Sequence, residues 1–127
     1  MISLRKVAFF VSTLSVAFFF ILPFFCTEVA EASSIQNDKL IKRISKDYTN
    51  KFCNSVAFGL SKQSAMEFSM KENNLIFKNK KGIDNLDKSL IANKIAISVV
   101  EDCGYLVDLI GDKGIKEFEN NYLSMID

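Results

Sequence analysis

Leu86-Asp87-Lys88-Ser89-Leu90-Ile91-Ala92-Asn93-Lys94-Ile95-Ala96-Ile97-Ser98-Val99-Val100-Glu101-Asp102-Cys103, closed by Gly104, sets the architecture expected of this chain. At 3.6 residues per turn its apolar residues cover almost the whole circumference of a helix, and Asp87, Lys94, Ser98 and Glu101 fall in one narrow polar stripe. No Pro or Gly interrupts the run, so about five turns form without a kink. A helix apolar nearly all round is one that others pack against. The stretch therefore predicts the hub of a small helical domain. Its polar stripe either faces water between two neighbours or registers a partner helix, and exposure is the favoured reading.

Upstream of the hub, Asp84 is the expected N-cap, and Asn79-Lys80-Lys81-Gly82 supplies cations and a glycine to end a preceding helix. That helix is predicted over Lys62 to Lys78. Glu67, Lys71, Asn74 and Lys78 form its polar stripe, and Ala65, Met66, Phe68, Met70, Leu75, Ile76 and Phe77 form its packing side. Gly59-Leu60-Ser61 reads as a tight corner, with Gly59 stopping one helix and Ser61 capping the next. The first helix is expected to start at Ser34 or Asn37 and run to about Phe58, burying Ile41, Ile44, Tyr48, Phe52 and Val56.

Downstream of Gly104, the run from Tyr105 to Ile110 is too short for periodicity to assign and is read as a short helix. Gly111-Asp112-Lys113-Gly114 is a turn in which Asp112 is the expected cap. A last helix follows, with Ile115, Phe118, Tyr122, Leu123 and Ile126 on one face. No stretch alternates with period two. The fold class is all-α, a bundle of four helices with a short fifth segment, and Phe52, Phe58, Phe68, Phe77 and Phe118 are its aromatic core candidates.

Residues 1–32 have the make-up of a cleavable signal peptide. Arg5 and Lys6 precede an uncharged run from Val7 to Phe25, and Ala30-Glu31-Ala32 offers the small residues that a signal peptidase requires. The expected mature domain is 33–127, exported to a periplasm or equivalent lumen or secreted. The alternative is an uncleaved membrane anchor, because nineteen uncharged residues can nearly span a hydrocarbon core of about 30 Å.

Export changes how the cysteines are read. Cleavage removes Cys26 and leaves Cys53 and Cys103, which permit a single intramolecular pairing, so a structural disulfide between the first helix and the end of the hub is expected. A redox pair is disfavoured by their separation of fifty residues and by the absence of a Cys-x-x-Cys arrangement.

The sequence of 127 residues contains no His, which removes Ser-His-Asp, Cys-His and His-based zinc chemistry. Asp84 and Asp87 lack the oxygen-ligand spacing of a calcium loop, and Glu101 and Asp102 diverge by about 100° on a helix. With a formal charge of +1 and no long block of like charge, no nucleic-acid surface is expected. These features predict a non-enzymatic binding or assembly-accessory module without cofactor or metal, contacting a protein partner. A membrane role is expected only through the leader, with the Lys78-to-Lys81 cluster read as solvated. Asp87, Lys94, Ser98 and Glu101 are the candidate partner-facing residues.

Overall fold

A computed structural model of the chain describes residues 32–127. The leader expected over residues 1–32 lies, but for its last residue, outside the described residues. Residues 37–127 form one compact unit. Four helices and no strand occur among the described residues: α1 over 32–57, α2 over Lys62–Phe77, α3 over Lys88–Cys103 and α4 over Gly111–Ile126. The all-α expectation is met.

The chain is already helical at residue 32, so neither Ser34 nor Asn37 begins α1. The inward stripe of α1 is the one its periodicity predicts: Ile41, Ile44, Tyr48, Phe52 and Val56 are all buried. The helix ends at Gly59, whose φ of 95° suits glycine, and the amides of Gly59 and Leu60 donate back to the carbonyls of Val56 and Ser55. The Ser61 hydroxyl then accepts from the Ser64 amide and caps α2.

Between α2 and α3 the cap differs from expectation. Ile83–Asn85 forms a 3₁₀ turn that takes up Asp84, and Asp87 caps α3 instead, its Oδ1 accepting from the amides of Ser89 (2.8 Å) and Leu90 (3.2 Å). Either acid was chemically suited to the position. The extra turn decided between them.

Gly104 closes α3 as its C-cap, as expected. It does not end α3 by adopting positive φ; its φ is −55° and the backbone passes straight into a 3₁₀ turn over Gly104–Val107. The left-handed residues of this connection are Asp108, with φ of 58°, and Gly111, with φ of 59°. Gly104 and Gly114 are both buried against the backbone of Leu109, where no side chain fits. The short fifth segment is this 3₁₀ turn. Asp112 lies in the first turn of α4, and Ile110 occupies the cap position.

Edge-to-face aromatics fill the centre. Tyr48 meets Tyr122 at 5.3 Å, and Phe52 meets Phe118 at 5.1 Å, so α1 and α4 supply the middle of the core. Helix α3 forms one wall through Ile91, Ala92, Ile95, Ala96 and Val99, while Leu90 is exposed and Ile97 and Val100 are half-buried. The predicted hub is thus a one-sided helix. Its small Ala92 and Ala96 let neighbours approach closely, and the larger aromatic side chains of α1 and α4 occupy the centre.

Cys53 and Cys103 are joined by a disulfide, with Cα atoms 5.6 Å apart, tying the body of α1 to the last residue of α3. An ion pair between Lys62 and Glu117 connects α2 to α4. Through this hydrogen bond and charge, Lys62 holds the Glu117 carboxyl below the usual carboxylate range.

Candidate functional site

The four residues of the α3 polar stripe separate into different settings. Asp87 is engaged as the helix cap, and Glu101 is exposed. Lys94 and Ser98 line a groove of about 640 Å³ between α3 and α1, facing Lys42 and Lys46. Asp102 lines this groove in place of its neighbour Glu101, and Asp38 is the second acid there. Beneath the groove, the hydroxyls of Ser45 and Thr49 are buried without a hydrogen-bond partner among the described residues. The structure therefore brings together two of the four predicted residues, along a polar seam with cations from both helices.

Helix α2 carries a second feature, missed by sequence reasoning. Its buried stripe is Ala65, Met66, Ser69, Met70, Asn73 and Phe77. Two of these are polar. Asn73 is accommodated because its Nδ2 donates to the Ile44 carbonyl (3.1 Å) and to Oδ2 of Asp47 (2.9 Å), whereas the Ser69 hydroxyl has no partner among the described residues. Phe68, Leu75 and Ile76, expected to pack inward, are instead 46%, 56% and 45% exposed. Phe68 and Leu75 recur at seven residues on the outer face of α2, and Ile76, seven beyond buried Ser69, is exposed at the edge of the inner stripe. The helix thus has an apolar stripe on each side, and the described chain covers one of them.

The outer stripe continues onto the α1–α2 corner. Phe58, expected in the core, is 87% exposed, and Leu60 is also exposed. Together with Phe68 they bound a shallow hollow of about 400 Å³ whose floor includes Ser55. The signal was present in the spacing. Phe58 lies two residues beyond Val56, about 200° around the helix from it, and Phe68 stands between the inward pairs Ala65–Met66 and Ser69–Met70.

The buried titratable groups of the core are phenols. Burial pushes Tyr48 far above the usual range, with the nearby Tyr122 adding to the effect, and burial pushes Tyr122 up to about 12. Neither exchanges a proton near neutral pH. Among the described residues no cluster of three or more His, Cys, Asp or Glu is arranged to hold a metal ion. No described helix is long and apolar enough to cross a membrane. No protein-family model, curated protein or solved structure matches the chain.

Proposed function

We propose that this protein is an exported, non-enzymatic helical module that binds a protein partner through the outer face of α2 and the adjoining corner. The observation that carries the reading is the two-sidedness of α2: it holds Phe68, Leu75 and Ile76 in solvent while burying Ser69 and Asn73. A helix apolar on both sides is suited to lie between two layers. Here the bundle supplies one layer, and a partner supplies the other. Exposed aromatic and aliphatic side chains grouped on one face are the usual anchors of a protein interface. The α1–α3 groove, with Lys42, Lys46, Lys94 and Ser98, offers a polar flank on the same module.

Export is supported by the leader's composition and by the Cys53–Cys103 bridge, which persists in an oxidising compartment. The reading is tested by purifying the protein from its native compartment beside a Phe68→Lys, Leu75→Lys variant. The expected result is that the unmodified protein carries a stoichiometric polypeptide partner and that the variant folds but loses it. A monomer that carries nothing, or a variant that keeps the partner, defeats the proposal. Intact mass addresses the leader separately: a chain beginning at Ser33 excludes the uncleaved anchor.

A further inference from the structure

The end of the bundle where α2 gives way to α3 has a composition unlike either surface above. A half-open cleft of about 530 Å³ enters the core there, within the range of about 300–1,000 Å³ common for small-molecule sites. All four helices contribute to its floor: Ile44 from α1, Met70 and Phe77 from α2, Ile91 from α3 and Tyr122 from α4, each buried. Half-buried Met125 stands on its wall. The mouth is charged, with Lys78 at the end of α2, Lys88 at the start of α3 and Asp84 between them.

Two properties of this cleft define its ligand. The floor is continuous with the core and mainly apolar, its buried Asn73 being engaged by the Ile44 carbonyl and Asp47, and Met70 on the floor and Met125 on the wall are flexible, polarisable side chains that adapt to a hydrocarbon chain. The mouth carries excess positive charge. Among the described residues the ion pairs are Lys51–Asp47 and Lys62–Glu117, so Lys78 and Lys88 are both unpaired, with Asp84 the lone acid at the rim. Lys80 and Lys81 in the same connection are exposed and add to the positive field. A mainly apolar floor beneath a cationic rim matches a molecule with a hydrocarbon tail and a negative head.

We propose that this cleft binds a single-chain amphiphile with a carboxylate head group. The alkyl chain lies against Met70, Phe77 and Ile91, and the carboxylate meets Lys78 and Lys88. The site lies apart from the outer face of α2 and stands or falls independently of the partner-binding reading.

The test is isothermal titration of the oxidised protein, as purified from an exporting host, with three probes below their micelle-forming concentrations. Dodecanoate carries both tail and head, dodecyltrimethylammonium keeps the tail and reverses the charge, and butanoate keeps the head with little tail. Saturable one-site binding of dodecanoate is expected, with the cationic amphiphile about tenfold or more weaker and butanoate not binding. The double variant Lys78→Gln, Lys88→Gln is expected to melt like the unmodified protein and to lose the preference between head groups. Met125→Trp is expected to fill the cleft and block dodecanoate. Equal affinity for the two charged amphiphiles, saturation by butanoate, or unchanged dodecanoate binding in Met125→Trp would overturn the proposal.

Discussion

A methyl group added at Gly104 would sit 2.3 Å from the Leu109 carbonyl oxygen, and one at Gly114 would sit 2.7 Å from the Leu109 carbonyl carbon. Both contacts are with backbone, which cannot swing aside as a side-chain tip can. Gly104→Ala and Gly114→Ala should therefore each destabilise the fold by about 1–3 kcal/mol, measured by urea denaturation. Two serines make an opposite pair. The Ser55 hydroxyl donates to the Lys51 carbonyl at 2.7 Å, while the Ser69 hydroxyl is fully buried with no partner among the described residues. Ser55→Ala should cost about 0.5–1.5 kcal/mol, and Ser69→Ala should be neutral or stabilising by up to about 1 kcal/mol. Equal losses at both positions in thermal melts would contradict this account of their settings.

Helix α2 is where sequence and structure part most clearly. Its apolar residues fall on two faces, and a reading that treats every large apolar side chain as inward merges them into one packing side. The placement of Asn73 depends on Ile44 and Asp47, residues 29 and 26 positions away, and no local pattern reveals that such partners will be present. The stripes of α1 and α4 were legible because their apolar positions follow a single face, from Ile41 to Val56 and from Phe118 to Tyr122. The α3 cap was legible only to within a turn, since Asp84 and Asp87 differ by a 3₁₀ turn that either acid tolerates. The disulfide followed from cysteine count once the leader was read. The candidate partner face was obscured because Phe58 and Phe68 are core-type residues by composition, and only their angular position distinguishes them. The distinction can be measured. As core residues, Phe68 and Leu75 changed to Lys would cost several kcal/mol; on an outer face the double variant should melt within about 0.5 kcal/mol of the unmodified protein, whereas Met70→Lys should unfold it.

For the whole molecule, the bridge between Cys53 and Cys103 and the buried phenols set the conditions under which the fold persists. The bridge closes a loop with a sequence separation of 50, for which the chain-entropy model gives a stabilisation on the order of 4 kcal/mol. A domain this small has a total stability of comparable size, so reduction should lower the melting temperature strongly and expose the core. The phenols act at high pH. Tyr122 titrates at about 12 in the folded protein, against about 10 for an unperturbed tyrosine, and Tyr48 is shifted in the same direction. The unfolded chain therefore loses these protons first. Their contribution is fully present below about pH 10 and is lost as pH rises toward 12 and beyond, so stability should fall across that window. Tyr122→Phe should make the fall shallower in alkaline urea titrations. The central claim joins export, the covalent clamp and an outer face made for a partner. Native mass spectrometry of the protein taken from its own compartment tests it most directly. The account predicts a chain beginning at Ser33 that gains two hydrogens on reduction, held in a complex with another polypeptide that the Phe68→Lys, Leu75→Lys variant releases. A lone chain that retains its leader and shows no mass change on reduction would contradict it.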